Sequence, residues 1–321
     1  MNNVTNILQT LLAHPILGPI LPVAGAAIPM TLFLAYAGLN FMVFALQVTG
    51  VRTKRSAYDK AARQMASLAL ILGWLLLVVS RVYLFVSSDG YVPQSLLAAI
   101  VELSWGLFGF AVIASSVHFA VWRFLANHRG WHSLLAFLAG LNSLASIFAI
   151  LGSLRMLVAL ELPNADQLSL GMLFNYTVFP SPLYYAAVLA IPLAMAVPAA
   201  AGIIWLVIRR KKDDFGRDYY NTITRFVARW GAMAWLPVIV LLGGVVYFEL
   251  KPLLDSGTEI TPMTWALLGS RVVPAFLSWI CLLCVSRAAL PMRFKPLAFL
   301  AFLLSMPAAY YVFEDATTFV F

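Results

Sequence analysis

The chain has 321 residues, of which 62% are hydrophobic and only 11% are charged, and its mean hydropathy is +0.90. Soluble domains carry about 45–50% apolar and about 25% charged residues, so this composition excludes a soluble enzyme. The 21 basic and 13 acidic residues leave a formal net charge of +8. In a membrane protein this excess of basic residues indicates which loops face the cytoplasm, and it does not indicate a nucleic-acid partner. Cys281 and Cys284 lie inside an apolar run, where we interpret them as small buried residues rather than as a disulfide framework or metal site.

Eight stretches are apolar over about the 20 residues that a membrane-spanning helix requires. The sequence therefore predicts an all-α integral membrane protein with eight transmembrane helices and no soluble domain. The segment Asn2–Leu21 is also apolar, but prolines interrupt it, and we predict a helix on the outer membrane surface rather than a ninth span. The predicted spans are residues 20–50, 66–87, 95–122, 133–158, 183–208, 226–248, 263–289 and 296–315.

The charged residues alternate in sign from one predicted loop to the next. The odd-numbered loops are basic, and they contain Arg52 to Arg63, Arg123 with Arg129, Arg209 to Arg229, and Arg287 to Lys295. The even-numbered loops and the C-terminus are mainly acidic, and they contain Asp89, Glu161 with Asp166, Glu249 to Glu259, and Glu314 with Asp315. Basic loops remain in the cytoplasm. We therefore predict a multi-pass protein of the cytoplasmic membrane with both termini outside.

The two halves of the chain are predicted to be related. Tyr220 and Arg225 follow Tyr58 and Arg63 at one common distance of 162 residues, and an Ala-Phe-Leu-Ala motif at residue 136 recurs at residue 298. An Ile-Pro pair at residue 28 recurs at residue 191. Four spans per unit is an even number, so the repeats run parallel, as two four-helix bundles side by side. The predicted units are an outer-face segment, residues 1–21, a first bundle, residues 22–160, and a second bundle, residues 161–321.

Four ionisable side chains fall within the outer half of the predicted spans. Glu102 and Arg271 lie about two turns inside spans three and seven, and Arg81 and Arg155 end spans two and four. Ionisable groups in a membrane are costly, so they mark functional sites or paired networks. Two other interpretations stay open. Arg81 and Arg155 could extend to the interface, and Glu102 could be a neutral or hydrogen-bonded buried acid.

The histidines decide whether a haem is expected, because a membrane b-type haem usually takes two axial ligands, most often His or Met. His14 lies in the proline-interrupted segment, and His118, His128 and His132 lie near the cytoplasmic ends of spans three and four. His118 and His132 could face each other across that hairpin, although interfacial histidines at loop ends are the simpler interpretation. Haem b is not expected, and His14, His118 and His132 are its weak candidate ligands.

Span three contains Ala99–Trp105, and a short basic loop then leads to His132 and to Ala139–Ser146, which includes Asn142. This order resembles subunit I of the cytochrome bd quinol oxidases, which carries a Glu in span three, a His before span four and a Gly/Ser–Asn-rich pattern within it. Other segments fall in the family's order, namely Arg52 to Gln64, Pro163-Asn164 leading to Phe179-Pro180, Trp205, Ser270-Arg271, and Pro307 with the acidic residues after it.

The haem ligands of that family are missing. The family has a His at the start of span one, a His in span five, and a Met two residues after the span-seven Arg. Here Leu21–Ala26 contains no His, Val188 stands about where the span-five His would fall, and Val273 replaces the Met. The quinol-binding loop between spans six and seven is reduced to about Lys251–Pro262, and a ninth span is absent. The resemblance implies the fold without the oxygen chemistry. A haem-free layout of four plus four helices is also similar to quinone-binding membrane anchors of the polysulfide-reductase type.

The resemblance implies a membrane subunit of a respiratory complex, part of a quinol:acceptor oxidoreductase, that binds quinone near the outer face. Glu102 would exchange the proton, and Arg271 would stabilise an anionic quinone state. Arg81, Arg155 and Asn142 would complete the site. Electrons would pass to or from a partner that carries metal cofactors, such as an extracytoplasmic cytochrome c or an iron–sulfur protein.

An architectural subunit that supports a haem-bearing partner is the alternative. Small residues in span five would then pack against that partner. They are Ala194, Ala196, Ala199, Ala200, Ala201 and Gly202. A small-molecule transporter is less favoured, because paired broken helices of the kind that form transport sites are not evident.

Overall fold

The computed structural model describes residue 13 and residues 17–87, 96–125, 128–160, 182–257 and 260–318. These residues are almost entirely helical and include no strand. They form α1 (Leu17–Thr53), α2 (Ser56–Ser87), α3 (Leu96–Ala120), α4 (Arg129–Leu160), α5 (Pro182–Asp213), α6 (Arg217–Asp255), α7 (Pro262–Arg287), a 3-10 helix (Pro291–Phe294) and α8 (Lys295–Thr317).

The prediction of eight membrane-spanning helices is confirmed, since eight helices are long and apolar enough to cross a bilayer. A helix satisfies its own backbone hydrogen bonds, which the hydrocarbon interior cannot do. Large apolar side chains cover the surface, and Phe85 and Val240 are 72% and 73% exposed. Such a surface fits contact with the acyl chains of a lipid bilayer.

The helices extend beyond the predicted spans. α2 begins at Ser56 and α6 at Arg217, so most of the basic residues that were predicted to lie in loops are helical. Hydropathy detects only the apolar part of a helix, whereas Ala, Arg, Lys and Gln continue it into water. Gly216, with φ of 85°, provides the left-handed backbone in the short turn before α6. Residues 17–21, predicted to lie in the outer surface segment, belong to α1. Of the earlier residues, only residue 13 is described.

Each half of the chain forms a closed ring of four helices. In the first half α1 contacts α2 and α4, and α3 contacts the same two helices; α5 to α8 repeat this pattern. Between the halves α1 contacts α5 and α8, and α4 also contacts both. Two bundles side by side would give these contacts, while the parallel repeat and the external termini stay predictions.

The two halves meet most closely where α1 crosses α5. A Cβ atom added to Gly38 would lie 1.5 Å from the carbonyl oxygen of Ala194, so only glycine allows the two backbones to touch. On other sides of α5, Gly202 lies against Met65 of α2, and Gly231 of α6 lies against Ala199. The small residues of α5 are thus buried within the chain, apart from the half-buried Ala201. The prediction that they pack against a partner subunit is wrong.

A second connection between the halves is polar. Gln64 of α2 is 4% exposed, and its amide Nε2 donates to Asp213 Oδ2 at 2.6 Å. Gln64 Oε1 accepts from the hydroxyl of Tyr219 at 2.7 Å, and its backbone carbonyl accepts from Trp205 Nε1 at 2.9 Å. Arg209 also binds the Asp213 carboxylate, at 2.8 and 2.9 Å. One buried amide therefore joins α2 to both α5 and α6.

We predict that Gly38→Ala destabilises the protein by about 2 kcal/mol or more, because its methyl group would overlap the α5 backbone. Gly106→Ala is the matched control, since a Cβ there meets no atom within 4 Å. It should leave stability unchanged or raise it by up to about 1 kcal/mol, as alanine favours helix. Thermal unfolding in detergent measures both, and equal melting temperatures would contradict the close contact.

Candidate functional site

The first candidate residue, Glu102, forms an ion pair near the start of α3. Its Oε1 lies 2.5 Å from Arg81 Nη1 on α2, and the Arg81 guanidinium lies 5.1 Å from the centre of the Trp105 ring. The side chains of Arg81 and Glu102 are 47% and 27% exposed. Glu102 is therefore a carboxylate beside a permanent cation, and the alternative of a lone buried acid does not describe it.

Arg271 has a different partner. Its Nη1 lies 2.5 Å from Glu249 Oε1 of α6, and its guanidinium lies 4.6 Å from the centre of the Tyr311 ring. The Tyr311 hydroxyl is in turn 2.5 Å from Ser270 Oγ. The sequence placed Glu249 in a loop, but α6 extends past it, and this extension creates the pair. Glu102 and Arg271 thus lie in different halves, each with its own partner, and the structure does not bring them together.

Arg155 connects α4 to the end of α8. It is 5% exposed, and its Nη1 donates to the carbonyls of Ala316 at 3.2 Å and Thr318 at 2.8 Å. A cation at a helix C-terminus satisfies free carbonyls and interacts favourably with the helix dipole. The interpretation that Arg155 extends to the interface is therefore wrong. It caps a helix of the opposite half.

A chain of buried polar side chains runs inside the first half. The Tyr36 hydroxyl lies 3.3 Å from Ser115 Oγ, and Asn40 Nδ2 donates to Ser115 Oγ at 3.0 Å and to Ser143 Oγ at 3.4 Å. All four residues are at most 4% exposed. Tyr36 and Asn40 are one helical turn apart on α1, so they share the face that contacts α3 and α4. Asn142, the predicted site residue beside Ser143, does not take part in this hydrogen-bonded group, and its Nδ2 has no partner among the described residues.

The same face of α1 continues to a histidine pair. Gln47, two turns beyond Asn40, has its Nε2 2.9 Å from His132 Nδ1. The rings of His118 and His132 stack with centroids 4.7 Å apart, and the ring of Trp122 meets His132 edge-on at 4.3 Å. The two histidines do face each other, as the hairpin allows. Both lie near the helix ends that flank the loop, as predicted, but they are only 2% and 5% exposed and so are buried within the bundle.

Several polar atoms of this group lack a hydrogen bond to any described residue. They are both ring nitrogens of His118, Nε2 of His132 and Oε1 of Gln47. Buried polar atoms nearly always have a partner, so four open positions at one place indicate a site for a polar ligand or ordered water. The sequence suggested the histidine pair but not Gln47, because a buried glutamine in an apolar helix has no sequence signal of its own.

The pair does not fit the ligand set of a haem. Two nearly parallel imidazoles with centroids 4.7 Å apart leave no space for a porphyrin between them. Across the described residues, no three His, Cys, Asp or Glu side chains come together as a metal site would require. Cys281 is buried but Cys284 is exposed on the helix surface, so the prediction that both are buried is wrong for Cys284. His14 lies outside the described residues.

The second half retains only part of this polar chain. Ser278 and Ser305 follow Ser115 and Ser143 by 163 and 162 residues, and both are fully buried. At a spacing of 163, the α1 residues Tyr36 and Asn40 correspond to Ala199 and Ile203, which are apolar. Ser278 and Ser305 donate to the backbone carbonyls of Ala301 at 3.0 Å and Phe302 at 2.6 Å, and no described side chain donates to either of them. Among the described residues, only the first half therefore joins buried polar side chains of three helices into one hydrogen-bonded group within the half.

No protein-family model matches the chain, and no curated protein and no solved structure is significantly similar to it.

We predict that Arg155→Gln lowers stability by about 1.5–3 kcal/mol, the value of hydrogen bonds from a buried charged group. Arg81→Gln is the control, because a half-exposed ion pair contributes only about 0–1 kcal/mol. Thermal unfolding of both variants in one detergent gives the comparison. A smaller loss for Arg155→Gln than for Arg81→Gln would contradict the capping role.

Proposed function

We propose that this chain is a membrane subunit of a respiratory electron-transfer complex of the cytoplasmic membrane, binding quinone and lacking the oxidase haems. The observation that supports this proposal is the chain of polar side chains inside the first half. Two turns farther along α1, Gln47 contacts one of two buried histidines whose remaining ring nitrogens bind no described residue. Polar groups inside a membrane protein are costly, and they mark substrate and proton pathways.

The chemistry of a quinone head group matches this end of the first half. Its two carbonyl oxygens need hydrogen-bond donors, which His118 and His132 can provide through one ring N–H each, while the open Gln47 Oε1 can accept from a hydroxyl of the reduced quinol. Its flat ring favours an aromatic neighbour such as Trp122. Reduction of a quinone takes up protons as well as electrons, and hydrogen-bonding groups at the quinone oxygens are where such protons are delivered. The site we propose therefore lies at the His118–His132 pair rather than at Glu102 and Arg271.

Electrons would reach the quinone through a partner with metal cofactors, such as a cytochrome c or an iron–sulfur protein. The outer ion pairs suit a contact with that partner, since Arg81 and Glu249 are each 40% or more exposed. Interface charges of this kind align partners and speed their association more than they add affinity. On this proposal, Glu102 and Arg271 position the subunit, and the histidines bind the quinone.

We predict that His132→Leu weakens binding of a short-chain quinone analogue about tenfold, because a buried hydrogen bond is lost. His128→Leu is the matched control, since His128 is exposed on the loop between the same two helices. Titration of the purified complex measures the dissociation constants. Weaker binding only in Glu102→Gln or Arg271→Ala would instead place the site near the outer face, and unchanged binding in all four variants would contradict quinone binding here.

An architectural role is the second candidate, because the structure pairs both Glu102 and Arg271 internally and leaves neither free. In that case deletion of the chain would prevent assembly of a haem-bearing partner, while the purified chain would bind no quinone analogue. An ultraviolet–visible spectrum of the purified chain adds a direct check. A b-type α-band on reduction would contradict the haem-free proposal.

A further inference from the structure

A cavity of about 310 Å³ opens between α5, α6 and the segment that leads into the 3-10 helix. It lies at the ends of the helices where the predicted cytoplasmic loops begin. The quinone proposal does not involve this part of the second half. The lining residues are Arg210, Arg217, Tyr220, Asn221, Leu290, Met292 and Arg293.

The charges that line the cavity are all positive. Arg210, Arg217 and Arg293 come from three separate segments, and no acidic side chain is among the lining residues. None of these arginines forms an ion pair with a described carboxylate, and the nearby Asp213 is bound by Arg209 instead. Three guanidiniums on one small cavity repel one another unless an anion lies between them.

The walls of the cavity are held in place by specific contacts. Arg225 Nη2 donates to the carbonyls of Ala288 and Ala289, both at 3.1 Å, and Thr224 Oγ1 lies 3.1 Å from Met292 Sδ. These contacts fix the segment that carries Leu290 and Arg293 against α6. The Arg210 guanidinium lies 6.0 Å from the centre of the buried Tyr220 ring, so a cation–π contact holds this arginine at the cavity wall.

We propose that this cavity binds a phosphate group, and that the phosphate belongs to the head group of an anionic phospholipid. The planar guanidinium donates two parallel hydrogen bonds to phosphate oxygens, which three arginines can do from different sides. Basic pockets between helix ends on the cytoplasmic side are suited to lipid head groups. The apolar Leu290 and Met292 provide a wall for the glycerol and first acyl carbons. A soluble phosphate compound would use the same arginines but not that wall.

The first half does not repeat the full set of basic residues. At the 162-residue spacing, Arg217 and Tyr220 correspond to Arg55 and Tyr58, but Asn221 corresponds to Asp59. Arg210 and Arg293 correspond to Val48 and Trp131 in the same way. An acid in place of an amide and the loss of two arginines remove the attraction for an anion. The proposed site therefore belongs to the second half alone.

The test compares two phosphate sources on the full-length protein in a neutral detergent. Dihexanoyl phosphatidylglycerol is titrated in one arm and inorganic phosphate in the other, and dihexanoyl phosphatidylcholine serves as the zwitterionic reference. We expect the phosphatidylglycerol to raise the melting temperature and to bind at least tenfold more tightly than inorganic phosphate. Arg210→Gln with Arg293→Gln should weaken that binding about tenfold or more.

The matched control is Arg229→Gln, which removes an exposed arginine of α6 that does not line the cavity. Its phosphatidylglycerol affinity should equal that of the wild type. Equal binding of inorganic phosphate and phosphatidylglycerol would retain the phosphate site but overturn the lipid as its source. Equal phosphatidylglycerol binding by the double variant and the control, or no preference over phosphatidylcholine, would overturn the site itself.

Discussion

The direct contact between the α1 and α5 backbones at Gly38 is the constraint on which the arrangement of the other helices depends. Water does not drive helices together inside a bilayer, so close packing at small residues has to stabilise their association. α5 is accordingly the most enclosed of the eight helices. In its apolar 18-residue stretch 67% of the residues are buried, against 33–44% in the corresponding stretches of the other helices. Because α5 is packed by α1, α2 and α6, the remaining helices are free to present apolar side chains to lipid.

The two halves on either side of the α1–α5 contact share the same pattern of helix contacts, but their buried polar residues differ. Buried serines stand at matching places, Ser115 with Ser278 and Ser143 with Ser305. The difference lies on the first helix of each half, where Tyr36 and Asn40 link the serines of α3 and α4 into one hydrogen-bonded group. In the second half Ser305 donates to Phe302 of its own helix and Ser278 to Ala301 of α8, and no described side chain donates to either serine. The two polar residues of α1 therefore account for the hydrogen-bonded group that the second half lacks.

Hydropathy was sufficient to predict the eight helices, because a bilayer allows few other structures for apolar segments of this length. It could not predict their ends, since charged helix-forming residues continue α2 and α6 beyond the hydrocarbon. For the same reason hydropathy assigned Glu249, the partner of Arg271, to a loop, whereas the structure places it on α6. The capping role of Arg155 could not be predicted from the sequence either. It depends on backbone carbonyls at the end of α8, which become neighbours of α4 only when the two halves pack together.

The ion pairs of Glu102 and Arg271 show why these two residues were predicted to be parts of one site. Each lies on the third helix of its half, and each is paired with a residue on the second helix, Arg81 or Glu249. The two pairs connect the second and third helices with the charges exchanged, but at the 162-residue spacing Arg81 and Glu102 fall at Gly243 and Thr264, so the pairs do not stand at equivalent positions. Both pairs are partly exposed, so each contributes little to stability and mainly neutralises a charge beside hydrocarbon. Each charge is therefore accounted for within its own half, and the similar depth of Glu102 and Arg271 along their helices does not make them one site.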